Sequence, residues 1–163
     1  MRRILLADDS AHAQRMGVRI LKEEGFDVVS VTDGDSAVKR LGDADPDLIL
    51  ADVFLPGKSG VELCRYVKGH PKHRRARVVL TAGVLDAVDE AAAKDAGCDA
   101  IIRKPFEAST VIRTVKPLLE EAAAVAPEID DERVRAAVTV ALDAAFPALV
   151  DEIAARVLEA LRR

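Results

Sequence analysis

The sequence predicts an α/β fold: a doubly wound, five-stranded parallel sheet followed by a C-terminal α-helical extension. Three observations lead to this prediction. Five short runs rich in Val, Ile and Leu occur within the first 103 residues of the 163-residue chain. Helix-like stretches separate these runs, and such alternation is typical of parallel sheets with right-handed crossovers. Polar residues follow several of the runs, at the end of the strands where ligands of such sheets bind.

The strand candidates are apolar without the strict alternation of a sheet that is exposed on one face. Runs of this kind suit strands that are buried on both faces of a parallel sheet. The five runs cover residues 3–8, 27–31, 47–52, 77–81 and 99–103.

The stretches between the strands carry helix signals. The first begins at Ser10 as N-cap and ends at Gly25, and the second has Asp33 or Asp35 as its cap. Pro117 lies inside the last stretch and is expected to kink it. The five predicted helices cover residues 10–24, 34–43, 59–68, 86–96 and 107–124.

Composition and charge exclude several classes of protein. The net charge is −4, so the chain lacks the basic excess that favours nucleic acid. No apolar run reaches the roughly 18 residues of a membrane span, and the first apolar run is too short for a signal peptide. Cys64 and Cys98 have no metal-type spacing and are expected to be reduced thiols in the core. We therefore predict a cytoplasmic protein with neither DNA nor membrane as a partner.

Five polar residues follow the strand runs. Asp8 and Asp9 end the first run, Asp52 ends the third, Thr81 ends the fourth, and Lys104 follows the fifth. If these four strands are neighbours, the side chains meet in one crevice. Three carboxylates in one place require a divalent cation, and oxygen ligands favour Mg²⁺ or Mn²⁺. Each residue alone has a plainer explanation as a helix cap, a loop residue or a strand exit.

Four motifs occur in order: Asp8-Asp9, DVFLPGKSG with Asp52, TAG with Thr81, and KPF with Lys104. Together they resemble the receiver domain of bacterial two-component response regulators, over residues 1–122. The resemblance implies a flavodoxin-like sheet with strand order 2-1-3-4-5 and a cis peptide bond after Lys104. It also implies phosphorylation by a histidine kinase or a phosphotransfer protein.

The resemblance assigns expected roles to the polar residues. Asp52 would be the phosphoacceptor, Lys104 would contact a phosphoryl oxygen, and Thr81 would hydrogen-bond another. The receiver would thus catalyse its own phosphorylation and slow dephosphorylation without being an ordinary enzyme. The expected metal ligands are Asp8, Asp9, Asp52 and the backbone carbonyl of Phe54.

One position departs from the family pattern. The family couples Thr81 to an aromatic residue in a switch, and this chain has Ile101 at that place. Isoleucine is stiff at χ1 and has no hydroxyl, so it cannot signal as a tyrosine would. Ile101 is then either a switch residue of another kind or a plain buried strand residue. We expect the signal to pass through the loop 82–88 and the helix 86–96.

Three residues beside the site are expected to control access to the phosphoryl group. Ala82 is small and leaves room for it, Phe54 shields it from water, and Gly83 offers no side chain to orient an attacking water. These features predict slow self-hydrolysis.

The C-terminal part is predicted as a linker at 123–129 and a helical extension at 130–163. On one straight helix the apolar stripes before and after Pro147 differ in phase by roughly 110°, which favours two helices broken near Pro147. The predicted interaction face comprises Val134, Val138, Leu142, Phe146, Leu149, Val150, Ile153, Val157 and Leu161.

Two such helices cannot form a core of their own, so we expect the extension to bind a downstream protein or to form a homodimer. From residue 127 onward it has five Arg and no Lys against eight acidic residues, a poor composition for binding DNA. The prediction is a response regulator with output through protein contacts or self-association. The alternative is a phosphorylation-independent scaffold that keeps the receiver shape, which Ile101 favours.

Overall fold

The computed structural model describes residues 1–105, 107–124 and 131–161. Phe106 of the KPF motif and residues 125–129 of the predicted linker lie outside the described residues. In the last helix, side chains are described at 138–140, 146 and 150–161, so those of Val134, Leu142 and Leu149 are outside as well. The chain divides into two units, Met1–Val125 and Ala126–Arg163.

Five strands form one parallel sheet in the first unit. They are β1 Arg3–Ala7, β2 Asp27–Val31, β3 Leu48–Asp52, β4 Arg77–Gly83 and β5 Ala100–Lys104. Their order in the sheet is β2-β1-β3-β4-β5. The predicted fold class and strand order are therefore confirmed, and β1, β3, β4 and β5 are successive neighbours.

The helices of the described residues alternate with the strands and continue after them. They are α1 Ala11–Glu23, α2 Gly34–Ala44, α3 Gly60–Gly69, α4 Glu90–Asp95, α5 Ala108–Ala124 and α6 Asp131–Leu161. Ser10 caps α1 by accepting from the Ala13 amide, and Asp33 caps α2 by accepting from the Ser36 amide at 2.7 Å.

The fourth helix is shorter than the sequence predicts. We expected a helix over 86–96, but α4 begins at Glu90 with Asp89 as its N-cap. The Asp86 side chain instead accepts a hydrogen bond from the Gly83 amide and closes a turn. Aspartate bonded to a nearby backbone amide favours a turn over a helix, which explains the later start.

Two apolar clusters lie on opposite faces of the sheet. One combines Leu5, Ile49 and Leu80 of the strands with residues of α2, α3 and α4. The other combines alternate strand residues, such as Leu6 and Leu50, with residues of α1 and α5. Because successive strand residues point to opposite faces and both faces are covered, the strands are apolar throughout.

The predicted break near Pro147 is wrong: α6 is one helix of 31 residues that passes through this position. A proline inside a helix removes one backbone hydrogen bond and costs about 3 kcal/mol. The flanking sequence is rich in Ala, Leu, Glu and Arg, which are strong helix formers and offset that cost. The predicted break also assumed that the apolar stripes before and after Pro147 are both buried against one surface. The described apolar side chains of α6 are instead exposed.

Among the described residues, no helix combines the length and the apolar character that crossing a membrane requires.

Candidate functional site

The carboxyl edge of the sheet brings the predicted polar residues together. Asp8 directly follows β1, and Asp52 ends β3. Thr81 of β4 is paired in register with Asp52, and Lys104 of β5 is paired with Gly83. Since the strands are parallel and adjacent, residues from four distant stretches of sequence meet at one place.

The Lys104 ammonium bridges two carboxylates. Its Nζ donates to Asp8 Oδ2 at 2.7 Å and also to Asp52 Oδ2. The Asp8 side chain is 2% exposed and that of Lys104 is 19% exposed, so the bridge is largely shielded from water. Burial by itself lowers the pKa of Lys104, but the hydrogen bonds and charges of Asp52 and Asp8 outweigh it and raise that pKa. The lysine therefore stays charged.

Backbone amides hold the remaining oxygens of the two carboxylates. The Ser10 amide donates to Asp8 Oδ1 at 2.9 Å, and the Phe54 amide donates to Asp52 Oδ1 at 2.8 Å. Each carboxylate is thus fixed by a backbone amide at one oxygen and by Lys104 at the other. A carboxylate held in this way loses little orientational freedom when it reacts or binds an ion.

The acidic residues fit a hard divalent cation. Asp8, Asp9 and Asp52 each offer an oxygen, and these oxygens lie within 4.8 Å of one another. Asp9 is exposed, so it forms the solvent side of the cluster. An all-oxygen donor set of this kind suits Mg²⁺, which keeps several waters when it binds to proteins. A bound divalent cation would neutralise part of the negative charge when the oxygens of an anionic ligand approach the Asp52 carboxylate.

The two residues predicted to form a switch lie on neighbouring strands. Thr81 is buried, and its carbonyl accepts from the Val53 amide at 2.8 Å. Ile101 is partly buried and packs against the cluster on the α2, α3 and α4 face. A switch role for Ile101 stays a prediction.

The residues predicted to control phosphoryl access differ in exposure. Ala82 is fully buried, whereas Phe54 is 53% exposed. Gly83 begins the loop that leads to α4. Together with Lys104, Pro105 and residues of α1 this loop lines an open cleft of about 530 Å³. The Lys104–Pro105 peptide bond is cis, as expected.

Arg103 lies beside the site, although no sequence pattern predicts a role for it. This residue of β5 reaches across to the loop after β4, where its guanidinium donates to the carbonyls of Gly83 and Asp86. It also approaches Glu90 at the start of α4 at 3.4 Å. Gly83 and Asp86 are residue types common in turns and could have indicated the loop, but no sequence signal indicates its partner on β5.

These features agree with the comparison with known families. The response regulator receiver domain family matches the chain over residues 4–116. The chain belongs to this family.

Two solved structures illustrate the similarity. The signal receiver domain of a signal transduction histidine kinase from Syntrophus aciditrophicus is 32% identical with a TM-score of 0.70, over 79% of this chain and 96% of that chain. CheY4 of Vibrio cholerae, at 24% identity and a TM-score of 0.67 over 72% of this chain and 98% of that one, shows the same fold.

Two curated relatives are full-length regulators. The phosphate regulon transcriptional regulatory protein PhoB of Escherichia coli is 33% identical over 78% of this chain and 56% of its own length. The DNA-binding response regulator MtrA of Mycobacterium tuberculosis is 32% identical over 72% of this chain and 50% of its own length. The receiver thus spans about half the length of the curated relatives that it matches.

The predicted absence of a DNA partner is wrong. It was inferred from net charge and from the acidic tail, but receivers of the same family occur in a transcriptional regulatory protein and in a DNA-binding response regulator. Net charge averages over a chain, while DNA contact depends on a local basic surface that can belong to a separately folded element. The charge of a receiver and its extension therefore does not exclude DNA.

Proposed function

We propose that this protein is a response regulator of a two-component phosphorelay, phosphorylated on Asp52 by a histidine kinase or a phosphotransfer protein. The observation that carries the proposal is the contact of Lys104 with both Asp52 and Asp8 at the carboxyl edge of the sheet. The Lys104 ammonium is shared by two carboxylates and the exposed Asp9 lies beside them, and this combination supports a site for phosphoryl transfer.

In this reaction a carboxylate oxygen of Asp52 forms a bond to the phosphorus of a phosphohistidine. The bond between phosphorus and the imidazole nitrogen breaks, and the nitrogen keeps the electron pair. The Phe54 amide orients the carboxylate, and Lys104 stabilises the charge on the phosphoryl oxygens as a fixed point charge. Thr81, paired with Asp52 in register, supplies a hydroxyl for another phosphoryl oxygen.

The cofactor of the proposed reaction is Mg²⁺ or Mn²⁺. Asp8, Asp9, Asp52 and the backbone carbonyl of Phe54 are its proposed ligands, and the close approach of the three carboxylates supports this set. A site with three acids and one lysine keeps a net negative charge, which attracts a divalent cation.

Loss of the phosphoryl group is proposed to be slow. Phe54 is half-exposed, its backbone amide contacts Asp52, and its side chain carries no group that could activate water. Ala82 and Gly83 likewise provide no polar side chain for orienting an attacking water.

Output through the extension is the second part of the proposal. The described apolar side chains on its predicted face are about half exposed or more. The exposed residues are Val138, Phe146, Val150, Ile153, Val157 and Leu161. On the continuous α6 the last five share one side of the helix, and Val138 lies about 100° away from it. Exposed apolar side chains on one side of a helix favour a protein partner or a second copy of the chain.

The proposed organisation is a receiver at 1–122, a linker at 123–129 and a helical extension at 130–163.

The proposed location is the cytoplasm. Cys64 and Cys98 are both free thiols. Burial raises the pKa of Cys64 to about 12, so this thiol is protonated and unreactive. Two unpaired cysteines in the receiver suit a reducing compartment.

Labelling from acetyl phosphate tests the proposal. We expect Mg²⁺-dependent incorporation in the parent protein, loss of it in Asp52→Asn, and normal incorporation in Asp43→Asn, which changes an exposed aspartate of α2. Equal labelling of Asp52→Asn and the parent would overturn the assignment. Absence of labelling in the parent would favour the phosphorylation-independent scaffold.

A further inference from the structure

Arg103 connects β5 to the loop after β4 through three polar contacts. Nη1 donates to the Asp86 carbonyl at 3.1 Å and to the Gly83 carbonyl at 3.4 Å. Nη2 donates to Glu90 Oε1 at 3.4 Å. One guanidinium therefore holds both ends of a loop and the first residue of the helix that follows it.

The loop that Arg103 holds is a closed turn. The Asp86 amide donates to the Gly83 carbonyl at 3.2 Å, and the Gly83 amide donates to Asp86 Oδ2 at 2.5 Å. A Cβ at Gly83 would lie 2.8 Å from that same carboxylate oxygen, so glycine keeps the turn tight. These contacts make the turn a compact unit.

The two ends of this connection are next to the proposed phosphoryl site. Arg103 precedes Lys104, which contacts Asp52 directly. Gly83 lies two residues after Thr81 on the same strand. A phosphoryl group on Asp52 would place new oxygens between Asp52 and Lys104, so both strand ends must adjust to it.

The side chains of Val84 and Leu85 are 69% and 98% exposed within the turn. A movement of the turn therefore changes an apolar surface directly, without opening the core. Ile101 cannot make comparable contacts with the turn, because it packs against the apolar cluster and carries no polar group.

We propose that Arg103 is a positioning residue that couples phosphorylation of Asp52 to the Gly83–Asp86 turn and to α4. It takes the place of the aromatic switch residue that Ile101 does not supply. This inference rests on the proposed function, because it needs the phosphoryl group on Asp52. The contacts are solvent-exposed and individually weak, which allows them to exchange between two arrangements of the turn.

Hydrogen–deuterium exchange with and without Mg²⁺ and beryllofluoride, an acyl-phosphate mimic, tests the coupling. In the parent protein we expect beryllofluoride to change amide exchange across residues 83–90 severalfold. In Arg103→Ala that change is expected to disappear, while the apparent affinity for beryllofluoride stays within about threefold, since exposed contacts are weak.

Three further variants separate coupling from simple loosening of the loop. Arg113→Ala, at an exposed arginine of α5, should behave as the parent. Arg103→Lys keeps the positive charge but loses the planar guanidinium, whose several N–H donors reach more than one acceptor. It should therefore restore only part of the change in amide exchange that beryllofluoride causes. Glu90→Gln should reduce the beryllofluoride-induced change in amide exchange more at α4 than at Gly83.

The outcomes are distinguishable. If Arg103→Ala raises exchange of residues 83–90 equally with and without beryllofluoride, so that the response itself persists, Arg103 is merely structural and the inference is overturned. If the parent protein shows no Mg²⁺-dependent binding of beryllofluoride, both the proposed function and the inference fail. Loss of the response with binding retained supports the coupling.

Discussion

Lys104 contacts Asp52 directly, although β4 lies between the strands that carry them. The lysine side chain crosses the end of β4 to reach the carboxylate. The proposed phosphoacceptor is therefore paired with its positive charge before any phosphoryl group arrives. Such an arrangement needs little reorganisation during transfer.

Replacing Lys104 with Ala should separate metal binding from phosphoryl transfer. The ammonium repels a cation but stabilises phosphoryl oxygens, so we expect tighter Mg²⁺ binding and labelling from acetyl phosphate slower by roughly hundredfold to thousandfold. Mg²⁺ titration and labelling rates measure the two effects. Lys94→Ala, at an exposed lysine of α4, should change neither. Unchanged labelling in Lys104→Ala would contradict the assigned role of the ammonium.

Replacing Phe54 with Asn should speed loss of the phosphoryl group. The apolar Phe54 side chain, two residues after Asp52, cannot orient a water molecule, whereas an amide side chain can hold one for attack. We expect phosphoryl decay severalfold faster in Phe54→Asn and near the parent rate in Phe54→Leu, which keeps an apolar cover. Decay that is faster in the parent than in Phe54→Asn would show that the ring is not a shield.

Asp99 should make a pH-dependent contribution to stability. Its carboxylate accepts from Lys68, from Arg77 and from the Val78 amide at 2.7–2.8 Å. Burial by itself raises the pKa of Asp99, but these hydrogen bonds outweigh it and lower that pKa. A pKa that is lower in the folded than in the unfolded state adds stability above the unfolded pKa. This stability is lost as the pH falls through the folded value.

We therefore expect Asp99→Asn to lower the free energy of unfolding by about 2 kcal/mol at neutral pH. The difference from the parent should shrink as the pH falls below the unfolded pKa of about 3.9 toward the lower folded pKa, as the parent loses the same charge. Urea denaturation across this range measures it, with Asp95→Asn at an exposed position as the control. A difference that is constant with pH would show that the charge of Asp99 is not what stabilises the fold.

The exposed face of α6 should drive association if it is the output surface. We expect Ile153→Asp with Val157→Asp to reduce the solution mass measured by light scattering from that of a dimer to that of one chain. Leu158→Asp is the matched control, because Leu158 is equally exposed on another side of the helix. A parent protein that is monomeric in the presence of beryllofluoride would instead favour a different downstream protein.

The strands and the main site residues could be predicted because their signals are local. An uninterrupted apolar run such as 48–51 identifies a strand buried on both faces, and the polar residue that follows it identifies the sheet edge. Capping by Ser10 is likewise a matter of adjacent residues. Each of these signals lies within a few positions of the residue that it concerns.

Two features could not be predicted from local patterns. The continuity of α6 through Pro147 depends on a balance between one lost hydrogen bond and the helix preference of many neighbours, which no single residue reveals. The contacts of Arg103 depend on where the loop after β4 lies relative to β5. An exposed arginine in a sequence does not indicate its acceptors.

By itself the sequence determined which residues form the strands and that Asp8, Asp52, Thr81 and Lys104 stand at strand ends, because hydrophobic patterning acts residue by residue along the chain. The tertiary structure alone decided that Lys104 is shared by Asp52 and Asp8 and that Arg103 holds the Gly83–Asp86 turn. Strand order and register between distant segments set these contacts, and both arise from packing of the whole sheet against its two layers of helices.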